Sequence, residues 1–172
     1  MKKWTMLTLI GEDRPGIVAR VTAALFENGC HLGEASMMRL GGNFTIMLMV
    51  NHTGEPPLDA IIKPVAESLG LHVHIDDIEC RLHQHLVPDV RISVAGADRA
   101  GIVAEVTCAL AEAGFHILDL ESDVAGDEDN PIYIMHIEGK ATEGIERLEA
   151  AIESVNKNGI DAHLIPIDTF IG

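Results

Sequence analysis

The stretch Gly-Glu-Asp-Arg-Pro-Gly-Ile-Val-Ala at residues 11–19 decides the fold of this chain. Nearly the same stretch returns 85 positions later, at residues 96–104, as Gly-Ala-Asp-Arg-Ala-Gly-Ile-Val-Ala. At the same spacing the likeness continues through Val21/Val106, Thr22/Thr107, Leu25/Leu110, Glu27/Glu112, Gly29/Gly114 and His31/His116. A match of this length at one spacing indicates an internal duplication, so the 172-residue chain is expected to hold two units of about 80 residues each.

Each copy is predicted to form the elements β-α-β-β-α-β. In the first copy an apolar stripe at helical spacing indicates a helix from Arg14 to Asn28, and Gly41-Gly42-Asn43 indicates a hairpin turn. The strands of this copy are predicted at 4–10, 31–39, 44–50 and 71–78, and its second helix at 56–69. The second copy is predicted to have strands at 90–95, 116–124, 132–137 and 160–167 and helices at 99–113 and 142–157, with an acidic loop at 125–131.

This order predicts an α+β fold with two ferredoxin-like units in tandem, each with an antiparallel sheet that carries both helices on one face. The units are expected at residues 1–83 and 84–172, joined by a short linker at about 81–88. The opposite face is expected to present Thr45, Met47 and Met49 in the first copy and Ile132, Ile134 and His136 in the second. Because apolar patches are rarely left exposed, we expect the sister unit or a second chain to cover this face, and we expect a homodimer.

The composition argues against several classes of protein. A hydrophobic fraction of 47% excludes general disorder. No apolar run approaches the roughly 20 residues of a membrane span, and the first residues do not resemble a secretion signal. The three cysteines form no disulfide framework. A cytoplasmic protein without membrane contact is therefore expected.

The net charge of -15 is divided unevenly between the copies. Up to Leu86 there are 7 basic and 10 acidic residues, whereas from Val87 onward there are 5 basic and 17 acidic ones. Because Lys and Arg contacts to phosphates supply most of a protein's affinity for nucleic acids, direct binding to nucleic acid is not expected. The acidic second half suits either the attraction of a basic protein partner or a simple solvated surface.

The repeated stretch places Asp13, Pro15 and Gly16 between a strand and the beginning of a helix. The backbone N–H groups and the positive end of the helix dipole attract a carboxylate there, and Gly16 lets a ligand approach closely. The same residues also suit an ordinary helix start with Asp13 as its N-cap. The presence of Asp-Arg-x-Gly-Ile-Val-Ala in both copies favours a binding site, although a recent duplication would preserve it too.

The motif Asp-Arg-Pro-Gly-Ile-Val-Ala after a first strand, in a β-α-β-β-α-β unit of this length, resembles the ACT domain, a small regulatory module that binds amino acids. The tandem arrangement without an attached enzyme is similar to that of transcriptional regulators of the glycine cleavage system. Related modules occur in formyltetrahydrofolate deformylases and amino-acid biosynthetic enzymes. The resemblance implies an amino-acid-responsive regulator, with glycine or serine as the first ligands to test, that acts through a protein partner such as a transcription factor.

In ACT domains the ligand lies between the first loop of one unit and the edge of a neighbour, held by loop amides and a polar residue that opens the second strand. By position, the resemblance assigns to this site Asp13, Arg14, Pro15, Gly16, Ile17 and His31 in the first copy and Asp98, Arg99, Ala100, Gly101, Ile102 and His116 in the second. The serine-binding members carry asparagine at the aspartate and histidine positions. An aspartate accepts hydrogen bonds from an ammonium group but repels a carboxylate. Because Ala100 replaces the proline, the first site is ranked above the second.

Histidine pairs offer the main rival site. His72-x-His74 and His83-x-His85 each put two imidazoles on one side of an extended segment, a spacing that can share a metal ion. No carboxylate or thiolate completes a set at a motif-like interval, so a structural role is favoured and neither metal nor cofactor is predicted. The motifs of nucleophilic hydrolases, P-loops and dinucleotide sites are missing, so no catalytic residue is predicted. A ligand-free interaction module and, less favoured, an enzyme or metal protein stay open as alternatives.

Overall fold

A computed structural model of the chain describes residues 4–78, 86–97, 100–127 and 130–167. The chain divides into two compact units, Met1–His83 and Gln84–Gly172, and each unit is described by itself. Three of the predictions lie outside the described residues: the second-loop residues Asp98 and Arg99, the pair His83-x-His85, and most of the linker.

The first unit has the predicted order of elements. It comprises β1 (Trp4–Glu12), α1 (Ile17–Glu27), β2 (His31–Leu40), β3 (Asn43–Asn51), α2 (Leu58–Leu69) and β4 (His72–Ile78). Its four strands form one sheet in the order β2-β3-β1-β4, in which each neighbouring pair is antiparallel. Strands β1 and β2 therefore run in the same direction on either side of β3, which brings their carboxyl ends to the same end of the sheet.

The second unit repeats this topology. It comprises β5 (Val90–Ala97), α3 (Ile102–Glu112), β6 (Phe115–Asp127), β7 (Asn130–Ala141), α4 (Ile145–Lys157) and β8 (Asp161–Pro166), with the sheet order β6-β7-β5-β8. The prediction of two tandem ferredoxin-like units is confirmed. The predicted acidic loop at 125–131 is mostly paired strand, because the register continues to Gly126 opposite Pro131 and Asp127 opposite Asn130.

Each sheet buries one face against its helices, which we call the inner face. In the first unit Leu7 pairs with Leu48 and Leu9 with Ile46, and all four side chains are buried. The predicted alternation in β3 is confirmed, since Phe44, Ile46, Leu48 and Val50 belong to the core. The opposite, outer face leaves Ile10 and Met47 more than two-fifths exposed. The cores consist of Leu7, Leu9, Ile17, Val21, Leu25, Cys30, Phe44, Ile46, Leu48, Val50, Leu58, Ile61, Ile62, Ala66, Leu69 and Leu71 in one unit, and of Val90, Ile92, Val94, Ile102, Val106, Leu110, Ala113, Phe115, Met135, Ile137, Leu148, Ile152, Val155, Ile160 and Ala162 in the other.

All four described helices begin later than predicted, and a glycine directly precedes α1, α3 and α4. Helix α1 begins at Ile17 rather than Arg14, because Gly16 has φ 87° and ψ -1°, a left-handed conformation outside the helix. Gly101 (φ 92°, ψ -4°) precedes α3 in the same left-handed conformation, whereas Gly144, before α4, has a positive φ of 96° with an extended ψ of 154°. The interpretation of Asp13 as the N-cap is therefore wrong. Its backbone amide instead donates a hydrogen bond to the carbonyl oxygen of Gly42 at 3.0 Å.

The two cores differ in the side chains that fill one equivalent region, where the second strand of each unit begins. The first unit has the small Cys30, whose thiol pKa is raised by burial, together with the fully buried Val50. The second has Phe115 and Gly139 at the same places in the topology. A Cβ on Gly139 would lie 2.6 Å from Cζ of Phe115 and 2.3 Å from the carbonyl oxygen of His116. A large aromatic ring in the second core thus takes the space that a valine side chain fills in the first.

No helix within the described ranges is long and apolar enough to cross a membrane.

Candidate functional site

A cavity of about 320 Å³ opens beside the loop between β1 and α1 of the first unit. Its position follows from the topology, because the carboxyl end of β2 lies at the same end of the sheet as this loop. The loop and α1 contribute one wall, and β2 and β3 contribute the other. The lining residues are Asp13, Arg14, Gly16, Ile17, Val18, Ala19, Met37, Arg39 and Phe44.

The first turn of α1 supplies backbone donors to this cavity. The first backbone hydrogen bond of the helix runs from the amide of Arg20 to the carbonyl oxygen of Gly16 at 3.0 Å. The amides of Ile17, Val18 and Ala19, which precede it, have no acceptor within the helix. The helix dipole adds positive potential at this end, and no acidic side chain lies in the first turn of α1. This end of α1 is therefore suited to an anionic group.

Two ion pairs order the charged side chains around the loop. Arg39 Nε lies 2.6 Å from Asp13 Oδ2, and Asp13 is 25% exposed while Arg39 is 70% exposed. The Arg14 guanidinium donates a hydrogen bond to Glu12. This bond and the positive charge of Arg14 hold the pKa of the Glu12 carboxyl below its usual range. The site therefore contains a matched anion and cation, Asp13 and Arg39, one on each wall.

The corresponding loop of the second unit differs in its charges. Gly101 is again left-handed, and Ile102 is again buried. Helix α3, however, carries Glu105 in its first turn, and this carboxylate accepts a hydrogen bond from Asn158 at 2.8 Å. The place of Arg39 is taken by Val124, which pairs with Tyr133 as Arg39 pairs with Phe44. Among the described residues, the second unit therefore has no counterpart of Arg39, and its helix end already has an anion nearby.

The structure brings together some of the predicted site residues and separates others. Asp13, Arg14, Gly16 and Ile17 line the cavity. Pro15 is exposed in the turn, and Ala100, Gly101 and Ile102 hold the equivalent places in the second unit. Of the predicted second loop, Asp98 and Arg99 remain outside the described residues.

His31 and His116 lie far from the loops of their own units. His31 pairs with Asn51, which pairs with Trp4 at the opposite end of the sheet from the cavity. The extended strand from His31 to Arg39 spans about 26 Å. His116 occupies the same place in the second sheet, opposite Lys140. The loop and the second-strand histidine of a single unit therefore cannot contact the same small ligand.

Sequence reasoning missed the residues that β2 and β3 contribute, namely Met37, Arg39 and Phe44. The strand alternation and the predicted topology are together sufficient to predict these residues. Alternate residues at the end of β2 share the inner face, and β1 and β2 end at the same edge. Arg39, near the end of the predicted second strand, is therefore the cation that the topology brings beside Asp13.

His74 and His163 lie on exposed strand surface, each beside an aspartate. His74 Nε2 lies 3.0 Å from Asp76 Oδ2, and His163 Nε2 lies 3.0 Å from Asp161 Oδ1. Among the residues that the structure describes, no group of three or more His, Cys, Asp or Glu side chains is arranged to hold a metal ion. A second cavity, of about 390 Å³, lies by the beginning of α2 and includes His52 and His74 in its lining.

Comparison with known proteins agrees with this description. Residues 5–76 and residues 90–157 each match the ACT domain family. The chain belongs to the ACT domain family. ACT domains are amino-acid-sensing regulatory modules, and this chain contains two of them in tandem.

Three further proteins are similar to this chain. The UPF0237 protein YjhC of Lactococcus lactis subsp. lactis (strain IL1403) is 32% identical over 74 residues, which are 42% of this chain and 85% of that protein. The crystal structure of an unknown protein from Galdieria sulphuraria has a TM-score of 0.74 at 22% identity and covers 98% of this chain and 100% of its own. That of a candidate glycine cleavage system transcriptional repressor has a TM-score of 0.70 at 16% identity, with coverage of 98% and 99%. The two structures share the complete tandem fold with this chain.

Proposed function

We propose that the protein is an amino-acid-responsive regulator, not an enzyme, and that its ligand binds in the cavity beside the first loop. The observation that carries this proposal is the cavity itself, which joins the first-turn amides of α1 to the Asp13–Arg39 ion pair. Small ligands usually bind in concave sites with apolar walls and a few convergent polar groups. Membership in a family of amino-acid-sensing modules favours an amino acid over other small molecules.

The first loop is a better site for an amino acid than the second. An amino acid at neutral pH carries a carboxylate and an ammonium group, so it needs both a cationic and an anionic contact. The first cavity has both in Arg39 and Asp13. The second unit has Val124 in the place of Arg39 and Glu105 in the first turn of its helix. We therefore propose that the first unit binds the ligand and that the second serves mainly in contacts with other proteins.

A second chain would complete the site. If two copies pair through their β2 edges about a two-fold axis, the edges run antiparallel, and the start of one β2 lies near the end of the other. His31 of a neighbouring copy would then reach the cavity that Asp13 and Arg39 line. This arrangement accounts for the predicted contribution of His31, which lies about 26 Å from the loop of its own unit. Homodimer formation is therefore part of the proposal.

The regulated partner is proposed to be a protein. The chain carries 27 acidic and 12 basic residues, and this excess of negative charge opposes direct contact with nucleic acid. A transcription factor that controls glycine cleavage or related amino-acid metabolism fits the name of the candidate repressor with the same tandem fold. The ligand regulates this contact only if it binds one arrangement of the units better than another. We place this function in the cytoplasm.

Ligand binding is tested by thermal unfolding of the full chain with each of the twenty amino acids. A ligand of the folded state, present at one hundred times its dissociation constant, adds about 2.7 kcal/mol to the free energy of unfolding. The matched variants are Val18→Glu and Val103→Glu, because these residues occupy the same position in α1 and α3 and are 40% and 36% exposed. A carboxylate at residue 18 enters the cavity and competes with the ligand's own carboxylate for the helix end.

We expect Val18→Glu to remove the thermal shift and Val103→Glu to retain it. Neither variant should unfold, because an acidic residue in the first turn of a helix is favourable. Equal loss of the shift in both variants would contradict the assignment to the first loop. No shift with any amino acid would leave the alternative of a ligand-free interaction module, for which the exposed apolar side chains of β2 are the observation in favour.

A further inference from the structure

The Asp13–Arg39 pair joins two elements that are far apart in the sequence and meet only in the folded unit. The Nε of Arg39 lies 2.6 Å from Asp13 Oδ2, and the Asp13 amide is fixed by its 3.0 Å hydrogen bond to Gly42. A guanidinium has five N–H donors, so donors of Arg39 remain for a ligand when Nε faces Asp13. The pair thus presents an anion and a cation side by side at the mouth of the cavity.

We propose that Arg39 and Asp13 determine the specificity of this site for zwitterionic amino acids with an apolar side chain. This inference rests on the proposed function, that the first cavity binds an amino acid. The ligand carboxylate binds Arg39 and the first-turn amides of α1, and the ligand ammonium group binds Asp13. The Arg39 side chain is 70% exposed, so solvent weakens its pair with the less exposed Asp13, and a zwitterion that supplies both opposite charges replaces the pair without a large penalty.

The negative charge of Asp13 selects against ligands with a carboxylate alone. Without an ammonium group, a carboxylate at the helix end would lie beside an unneutralised aspartate when it draws Arg39 away. A ligand with an ammonium group alone would compete with Arg39 for Asp13 and leave the helix end unused. Only a molecule that carries both groups satisfies both walls of the site.

The remaining walls indicate the side chain of the ligand. Met37 and Val18 are partly exposed at the cavity, while Phe44 and Ile17 are buried beneath it. These surfaces are apolar, and Met37 is a flexible side chain that adapts to different shapes. Burial of an aliphatic ligand side chain against them is favourable in proportion to the apolar area removed from water. Glycine has no side chain to bury there, and serine would bury a hydroxyl group.

The second unit supplies a natural comparison. Its residues at the places of Arg39 and Met37 are Val124 and Ser122, since they pair with β7 as Arg39 and Met37 pair with β3. The described part of the second unit therefore has neither a counterpart of the Arg39 cation nor one of the flexible apolar Met37. The selectivity assigned here belongs to the first unit alone.

The test is a calorimetric titration of the full chain with L-leucine, L-methionine, glycine and L-serine. Two analogues separate the charges: leucinol keeps the ammonium group without the carboxylate, and 4-methylpentanoate keeps the carboxylate without the ammonium group. The variants are Arg39→Gln and Asp13→Asn. The control is Arg91→Gln, because Arg91 also pairs with a carboxylate on a neighbouring strand, that of Glu138 at 2.5 and 2.8 Å.

We expect L-leucine and L-methionine to bind at least tenfold more tightly than glycine or L-serine. Arg39→Gln and Asp13→Asn should each weaken L-leucine at least tenfold, and Arg91→Gln should leave it unchanged. Arg39→Gln should not weaken leucinol, and Asp13→Asn should not weaken 4-methylpentanoate, because each analogue lacks the charge that the altered residue contacts.

The contrary outcomes separate this inference from the proposed function. Tighter binding of glycine or L-serine, or binding of L-leucine that is insensitive to both first-unit variants, overturns the inference and leaves an amino-acid-binding regulator in place. Binding of leucinol as tight as that of L-leucine also overturns it. Absence of binding by all twenty amino acids overturns the proposed function and this inference together.

Discussion

At the scale of single residues, Gly16 and Gly101 fix where the two loops end and the helices begin. Both have φ near +90°, where a side chain is disfavoured, yet a Cβ on either would meet no atom within 4 Å. The requirement for glycine is thus one of backbone conformation and not of space.

Replacement of either glycine by alanine should therefore destabilise the protein through backbone strain alone. We expect Gly16→Ala and Gly101→Ala each to lower the free energy of unfolding of the unit that contains it by about 1–2 kcal/mol, as measured by urea denaturation. Gly16→Asn is the control, since asparagine tolerates the left-handed conformation better and should cost less. Alanine variants as stable as the parent protein would show that the loop adopts another conformation in solution.

The difference between Asp13 and Arg39 shows what can be predicted at the residue scale. Asp13 belongs to a repeated motif, so the sequence alone draws attention to it. Arg39 belongs to no motif, and its role depends on the register of β2 against β3. The glycines before α1, α3 and α4 were visible in the sequence, but their positive φ angles were not. For that reason these three helices were predicted to begin three residues too early.

At the scale of elements, the repeat and the spacing of apolar residues were enough to predict all eight strands and four helices in order. Alternation in β3 identified its buried face, because a strand that packs on helices must bury every second side chain. The extent of β6 and β7 was underestimated, since an acidic segment with glycine and proline resembles a loop although it continues the pairing. Register, which places His31 away from the cavity, also required the structure.

The close packing of the Phe115 ring against Gly139 leads to a prediction at this scale. Gly139→Ala should lower the free energy of unfolding by about 1–3 kcal/mol, because its Cβ would overlap the ring of Phe115 and the carbonyl of His116. Phe115→Ala should cost about 3–5 kcal/mol through loss of buried contacts. Urea denaturation measures both.

The double variant Gly139→Ala/Phe115→Ala tests whether the two residues affect stability through their mutual contact. Removal of the ring relieves its overlap with the added methyl group, although the overlap with the His116 carbonyl remains. The double variant should therefore lose less stability than the two single losses combined, by about 0.5–3 kcal/mol. Losses that add fully would mean that the ring moves away from Gly139 without cost.

At the scale of the whole molecule, the edge strands β2 and β6, which hold the same place in their two sheets, differ in charge. Strand β2 is exposed along its length and carries Leu32, Met37, Met38 and Leu40. Strand β6 carries Asp119, Glu121, Asp123 and Asp127. Two β6 edges would repel each other, whereas two β2 edges bury apolar side chains when they pair. The charge pattern therefore favours β2 as the edge of the proposed homodimer.

A lysine on each edge tests this choice. We expect the protein to sediment as a dimer and Met38→Lys to shift it towards the monomer, because the pairing would bury two additional charges. Val124→Lys on β6 is the matched control, since Val124 is 53% exposed and Met38 is 62% exposed. Dissociation by Val124→Lys and not by Met38→Lys would assign the interface to β6. A monomeric parent protein would contradict the proposed homodimer and, with it, the contribution of His31 to the site of a neighbouring copy.

The exchange of Cys30 and Val50 for Phe115 and Gly139 also constrains the evolution of the gene. Two repeats in one reading frame invite unequal recombination, which would produce hybrid units. A crossover between these positions would join either Cys30 to the glycine or Phe115 to the valine. The first hybrid contains a void, and the second is overfilled, so both are destabilised. Selection against such hybrids would prevent recombination from making the two repeats identical in sequence. Each unit could then diverge in sequence and function.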